Sequence, residues 1–304
     1  VQTCALPIFA NKLYPCLKIK VNDKLDKNTL KEINKNIRGT FFYQISDVIS
    51  NGTDNIILSK FIGFTGIGLY SNYTLISNAV NGVLYYIFDS MMGSLGNLAV
   101  KENLEKTYKI FKVTNFINFW LFGLCFVCLV NLINPFISLW LGKSYLLDFY
   151  TVIIIGINFY INGMRNTNIL FRRAYGLLSN GKIIPIIMSI SNLILSIILV
   201  NIYGIKGVII GTIISTLITY SWYDPYIVLN VKLKKSFIKY LYTNLFYGLI
   251  TLITLFIVNY LSYFWEIHSF TQWTIKAVCI FILVNIIFTI FTFYTDEFKY
   301  GLNL

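Results

Sequence analysis

The chain has 304 residues, of which 56% are apolar and only 12% charged, yet its formal net charge is +12. An ordinary globular domain carries about 25% charged residues, so a soluble fold could not cover this much apolar surface, and the same apolar excess excludes a disordered chain. Binding of nucleic acid would need basic clusters on a soluble domain, so the composition indicates a polytopic membrane protein whose positive charges mark topology.

The N-terminal part of the chain predicts no signal peptide, because no charged stretch followed by an apolar one begins at Val1. We interpret residues 1–8 as a leader outside the native fold. Residues 9–38 are predicted to be the end of a preceding span followed by a basic cytoplasmic linker. We therefore expect the chain to be a fragment of a longer protein.

Eight further segments are long and apolar enough to cross a bilayer, which takes about 20 residues in a helix. The predicted spans are residues 39–60, 67–97, 113–141, 148–172, 183–203, 207–229, 238–262 and 272–295. Of the 25 lysines and arginines, all but Lys60, Lys143, Lys206 and Lys276 then lie on one side. Basic residues concentrate on the cytoplasmic side, so the pattern predicts an all-α protein of eight transmembrane helices with both termini of this fragment cytoplasmic.

Polar stripes run along three of these spans. Residues spaced by three, four or seven positions share one face of a helix. Polar residues have this spacing in the first span (Gln44, Asp47, Asn51, Asp54), the second (Asn78, Asn81, Tyr85, Asp89) and the fourth (Asn158, Asn162, Arg165). Acids facing lipid are costly, so Asp47, Asp54 and Asp89 favour a hydrated cavity or an ion site. For the Asn residues alone, hydrogen bonds between helices are the favoured interpretation.

Three arginines at the cytoplasmic end of the fourth span, Arg165, Arg172 and Arg173, admit two interpretations. They anchor the helix end, or they bind an anionic headgroup through paired hydrogen bonds to phosphate. Arg165 lies deepest and is the best headgroup candidate. In the sixth span, Gly207, Gly211 and Ser215 have the spacing that allows close helix approach.

The remaining residues predict no enzyme. Cys125 and Cys128 are interpreted as small apolar residues of a helix, since neither a second cysteine pair nor a histidine cluster accompanies them. The sequence has no Gly-rich phosphate loop, metal-ligand cluster or nucleophile elbow. We therefore predict no catalytic residue, no cofactor and no metal.

Six strings of the sequence resemble those of a transporter family. They are NGTDNIILS (51–59), LYSNY (69–73), NPFISLWLG (134–142), INFYINGMRN (157–166), FRRAYGL (171–177) and YGIKGVIIGTIIST (203–216). In their order and spacing the chain resembles the bacterial polysaccharide-export (Wzx-like) flippases for O-antigen or capsule repeat units. These belong to the multidrug/oligosaccharidyl-lipid/polysaccharide exporter superfamily.

The resemblance implies a two-lobed transporter, of which this chain supplies the second six-helix lobe (residues 39–235) and an additional two-helix segment with a short tail (236–304). The first lobe is missing and would be a required partner. The implied location is the bacterial cytoplasmic membrane, among bilayer lipids. The implied substrate is a polyprenyl-diphosphate-linked oligosaccharide, moved to the outer leaflet by ion-coupled alternating access, with polysaccharide polymerase machinery as a further partner and no nucleic acid.

The resemblance also suggests roles for the polar residues. The implied substrate contacts are Arg165, Arg172, Asn158, Asn162, Gln44, Asn51, Asn78, Asn81 and Tyr85. The implied ion-coupling residues are Asp47, Asp54 and Asp89. Three alternatives stay open: a drug/cation antiporter of the same superfamily, a membrane polymerase or glycosyltransferase of polysaccharide assembly, and a structural partner of the envelope machinery. The short outer loops speak against the enzyme.

Overall fold

The computed structural model of the protein describes residues 26–181 and 183–302, and all regular secondary structure within these ranges is helical. The helices are α1 (Lys27–Asp89), α2 (Met92–Lys101), α3 (Leu104–Trp140), α4 (Phe149–Met164), α5 (Asn166–Ala174), α6 (Ile184–Tyr203), α7 (Ile205–Ile218), α8 (Tyr220–Pro225), α9 (Phe237–Ser262), α10 (Phe270–Thr292) and α11 (Asp296–Leu302). The leader predicted at residues 1–8, and residues 9–25 of the predicted linker, lie outside the described residues.

A glycine divides the long helix α1 into the first two predicted spans. Gly63 has φ 80° and ψ 173°, a conformation that side chains larger than hydrogen disfavour, so the helix changes direction there. The part before Gly63 also includes residues 27–38, which were predicted as linker. The part after Gly63 ends at Asp89, and α2 begins at Met92, so the second span is shorter than the predicted 67–97.

Within the described residues, five helical segments are long and apolar enough to cross a membrane: Leu104–Trp140, Ile184–Tyr203, Ile205–Leu233, Phe237–Ser262 and Phe270–Thr292. They correspond to the predicted spans three, five, six, seven and eight. The two parts of α1 and the broken α4–α5 pair carry the polar stripes and are not among these five: α1 is less apolar, and α4 and α5 are each shorter than a span, at 16 and 9 residues. The chain is therefore a multi-pass, all-α membrane protein, as its composition predicts.

Two predicted spans are interrupted rather than continuous. In the fourth, the Arg165 N–H bonds to the Asn162 carbonyl at 3.3 Å, a tight turn that separates α4 from α5. In the sixth, α7 ends before Thr219, and the short α8 ends at Pro225 and continues as the π-helical segment Tyr226–Leu233. Breaks of this kind change the direction of side chains on either side, and both interruptions lie beside the cavity described below.

Helix α3 forms the centre of the packed core, with α4, α9 and α10 against it. Aromatic rings carry much of this contact, because Phe119 stacks on Tyr247 with ring centroids 4.3 Å apart and on Phe288 at 4.9 Å. Helices α6 and α7 make an intimate antiparallel pair beside α1. These two packed groups leave a space between α1, α4, α6 and α7.

Candidate functional site

The space between α1, α4, α6 and α7 is a polar cavity of about 520 Å³. Its lining includes residues from each of these helices and from the first turn of α8: Ser50, Asp54, Asn55, Tyr70, Thr74, Ser77, Asn78, Asn81, Asn158, Asn162, Arg165, Met188, Thr212 and Tyr220. Six of the predicted site residues are among them: Asp54, Asn78, Asn81, Asn158, Asn162 and Arg165. The polar stripes of three predicted spans therefore converge on one polar cavity.

Arg165 ends a chain of polar contacts along the cavity face of α4. Its Nη1 lies 3.4 Å from the Asn162 Oδ1, which accepts a weak hydrogen bond, and the Asn162 Nδ2 donates to the Asn158 Oδ1 at 2.9 Å. The guanidinium also lies over the Tyr220 ring, 3.8 Å from its centroid. Stacking on an aromatic face fixes the plane of a guanidinium, so Arg165 presents a positive charge in a defined orientation.

Asp54 is the acid that faces this cavity. The Thr212 hydroxyl donates to its Oδ2 at 3.0 Å, and the Ser196 hydroxyl lies 3.5 Å from its Oδ1. The Asn192 amide donates to the Thr212 hydroxyl at 2.9 Å. A carboxylate together with neighbouring hydroxyl and amide oxygens provides the oxygen ligands that a small hard cation prefers. The carboxylate can alternatively take up a proton. Among the described residues, no three His, Cys, Asp or Glu side chains cluster as a metal site.

An apolar groove of about 340 Å³ meets the polar cavity at Arg165. It lies between α4, the end of α7, α8 and α9, and its lining includes Ile161, Leu217, Leu245, Leu249 and Leu252. Arg165 lines both spaces. Arg165 therefore lies between a polar cavity and an apolar groove.

Arg172 does not line the cavity. Its side chain is 1% exposed and pairs with the buried Asp224, and it also donates to the backbone carbonyl of Asn180 at 2.6 Å. Such a site suits a structural ion pair, so we leave Arg172 out of the proposed substrate contacts.

Three further predicted residues, Gln44, Tyr85 and Asp89, lie outside the cavity lining. Gln44 lies on an exposed part of α1, beside Thr40 and Phe41. Tyr85 accepts a hydrogen bond from Arg173, whose guanidinium is 3.9 Å from Asp89. This Asp89–Arg173 pair is on the surface, with the Asp89 side chain 46% exposed. The side chains of Asp47 and Asn51 lie outside the described part of the structure.

Several residues of the site escaped the sequence analysis. Asn192, Ser196 and Thr212 are of types common in membrane helices and gave no signal by themselves. Asp224 did give a signal in the sequence, since burial of an acid inside the apolar segment 207–229 costs free energy unless the acid is paired. Tyr220 can be recognised as a site residue only from the structure, because the break between α7 and α8 places its ring against the Arg165 guanidinium.

Together, these helices and their cavity define the chain as a multi-pass helical membrane protein with a polar interior site. Comparison with protein-family models finds no match, and comparison with curated proteins finds none. Among solved structures, the lipid II flippase MurJ in an inward closed conformation is similar, with a TM-score of 0.53 and 20% identity. The match covers 82% of this chain and 52% of that one, so this chain spans about half the length of the flippase. At this identity the similarity shows the fold.

Proposed function

We propose that the chain is part of a flippase that moves a polyprenyl-diphosphate-linked oligosaccharide from the inner to the outer leaflet of a bacterial cytoplasmic membrane. Residues 39–235 form one six-helix transport lobe in this proposal, and residues 236–304 form an additional two-helix segment. A second lobe of the same protein is the required partner, and polysaccharide polymerase machinery receives the product. The fold shared with a lipid II flippase supports the proposal.

The position of Arg165 between two unlike compartments is the observation that carries the proposal. A polyprenyl-diphosphate-linked oligosaccharide has a polar sugar part, an anionic diphosphate and a hydrocarbon tail. The polar cavity offers amide and hydroxyl groups to sugars, the groove offers an apolar lining, and Arg165 lies at their junction. A guanidinium forms paired hydrogen bonds to phosphate and keeps its charge when partly desolvated.

Asp54 is the proposed ion-coupling residue. Its oxygens meet α6 through Ser196 and α7 through Thr212, so an ion or proton bound there changes the contacts that join α1 to both helices. Rocking of helix groups about a central site is the mechanism by which such transporters alternate access. Loading of Asp54 would therefore bias the position of α1.

The experiment for the substrate role replaces Arg165 with alanine in the complete gene product and measures surface polysaccharide. We expect Arg165→Ala to abolish export while membrane abundance stays at the wild-type level. Arg173→Ala is the matched control, because Arg173 is exposed, bonds to Tyr85 and lies outside the cavity lining. Normal surface polysaccharide in Arg165→Ala cells would refute the headgroup role, and export of a cationic dye in place of polysaccharide would favour the drug/cation antiporter.

Coupling is tested with the complete protein in proteoliposomes under imposed sodium or proton gradients. Asp54→Asn should remove the acceleration of lipid translocation by the gradient, whereas Asp89→Asn should retain it, because Asp89 is a surface residue paired with Arg173. Gradient-dependent transport by Asp54→Asn would exclude Asp54 as the coupling group.

A further inference from the structure

The charge at the compartment junction depends on a buried acid that lies between two arginines. Asp224, at the end of α8, is 1% exposed. Its Oδ1 bonds to the Nη1 of Arg172, and its Oδ2 lies 3.3 Å from the Nη2 of Arg165. One carboxylate thus serves two guanidinium groups, and the three side chains carry a net charge of about +1.

The two arginines are held very differently. Arg172 is also 1% exposed, and it further donates to the Tyr43 hydroxyl and to the carbonyls of Leu177 at 3.2 Å and Asn180 at 2.6 Å. These bonds tie Arg172 to α1 and to the turn between α5 and α6. Because Arg172 has so many partners, its bond to Asp224 is the fixed one.

Arg165 is the partner that can be exchanged. Its contacts with Asp224 and Asn162 are long, at 3.3 and 3.4 Å, and its buried Nε has no hydrogen-bond partner among the described residues. Its side chain is 13% exposed and lines both the cavity and the groove. An anion that enters the cavity can therefore reach the Arg165 guanidinium, which is not true of Arg172.

We propose that Asp224 competes with the anionic headgroup for Arg165. When the diphosphate binds, it takes hydrogen bonds from Arg165, and Asp224 stays with Arg172. Asp224 can form its ion pair with Arg165 again in place of the diphosphate, and this competition favours release of the diphosphate. This proposal rests on the proposed function, and it implies that Asp224 weakens headgroup binding so that the substrate can dissociate on the far side.

The test measures binding of undecaprenyl diphosphate and of uncharged undecaprenol to the complete protein in lipid nanodiscs. Asp224→Asn should bind the diphosphate about tenfold more tightly and release it about tenfold more slowly, the size expected for one charge-assisted hydrogen bond lost by the competitor. Affinity for undecaprenol should not change. Glu297→Gln is the control, since it removes an acid that pairs with Lys112 at 2.9 Å outside the cavity lining.

A second variant separates competition from net charge and from misfolding. Asp224→Asn alone leaves Arg172 buried without a carboxylate, which can prevent folding, whereas the double variant Arg172→Met/Asp224→Asn removes the whole ion pair, a change that buried pairs often tolerate. The double variant keeps the net charge at about +1 through Arg165. Competition predicts that it too binds the diphosphate about tenfold more tightly, while a simple net-charge effect predicts wild-type affinity.

The outcomes are distinct. Wild-type or weaker diphosphate affinity in the double variant overturns the competition, and weaker affinity would make Asp224 a support for Arg165 instead. Equal gains for undecaprenol and undecaprenyl diphosphate also overturn it, because a neutral probe has no use for a freed guanidinium. A wild-type protein that does not prefer the diphosphate over undecaprenol, with Arg165→Ala unchanged from it, refutes the proposed function itself and this proposal with it.

Discussion

Substitution of Gly207 by alanine tests a close backbone contact between α6 and α7. The Cβ that alanine adds would lie 2.0 Å from the Leu199 carbonyl oxygen and 2.3 Å from its carbon, where ordinary contact begins at 3.4 Å. Both partners are backbone atoms of α6, so no side chain can rotate away. The distance of 2.0 Å falls short of an ordinary contact by more than about 1 Å, so helices α6 and α7 must separate by about that much.

The cost of this separation follows from its size. Overpacking of a well-packed interface costs typically about 1–3 kcal/mol, and a middle value of about 2 kcal/mol lowers the ratio of folded to unfolded protein about 30-fold. The same movement would stretch the hydrogen bond of 2.9 Å from Asn192 on α6 to Thr212 on α7. Thr212 contacts Asp54, so we expect Gly207→Ala to weaken the proposed ion-coupling site as well as the fold.

The assay is unfolding of the purified protein by SDS, followed by tryptophan fluorescence. Gly68→Ala is the matched control, because its added Cβ meets nothing within 4 Å, and alanine favours a helix over glycine by up to about 1 kcal/mol. Gly211→Ala should fall between the two, since its Cβ would lie 2.8 Å from the Ser196 hydroxyl oxygen, which can rotate, and 2.9 Å from the Ser196 backbone nitrogen. If Gly207→Ala unfolds at the same SDS fraction as Gly68→Ala, the inference that α6 and α7 are in close backbone contact at Gly207 is refuted.

Three further predictions concern stability and topology. Arg172→Met should destabilise the protein by about 3–5 kcal/mol, because it takes the closer partner from the buried Asp224, and membrane abundance should fall where that of Arg173→Ala does not. Trp120→Phe should cost about 1 kcal/mol, since the indole N–H donates to the Asn285 Oδ1 at 2.8 Å between α3 and α10; an unchanged SDS unfolding midpoint would contradict this. His268 lies between the seventh and eighth predicted spans, on the outer side of the membrane in the predicted topology, and Lys106 lies between the second and third, on the cytoplasmic side. In a background without native cysteines, His268→Cys should therefore react with a membrane-impermeant maleimide in intact cells and Lys106→Cys only after permeabilisation, whereas the reverse pattern would refute the eight-span topology.

The polar stripes show how far the sequence could predict the site. Asn78, Asn81, Asn158 and Asn162 were found because helical spacing alone decides which residues share a face, and those faces do line one cavity. The same spacing could not tell where a stripe leaves the cavity. Tyr85 and Asp89 continue the stripe of the second span, but they lie further along the helix and contact Arg173 instead.

The arginines show the opposite limit. Arg165 and Arg172 are seven residues apart, a spacing that places them on the same side of a continuous helix. The helix is broken at Arg165, and the two side chains meet the same acid from different directions. Only one of them reaches the cavity, which no periodicity argument can decide.

The sequence by itself determined the class of the protein, the approximate positions of its spans and the faces that are polar, because bilayer thickness, helix period and the distribution of basic charge act locally along the chain. Tertiary structure alone decided which polar residues are accessible and which are consumed inside the fold. Asp54 faces the cavity because Thr212 and Ser196, more than 140 residues away, lie beside it, and Arg172 is withdrawn because Asp224 lies within reach. Contacts of this kind depend on how helices pack, and the spacing of residues along one helix does not determine the distances between helices.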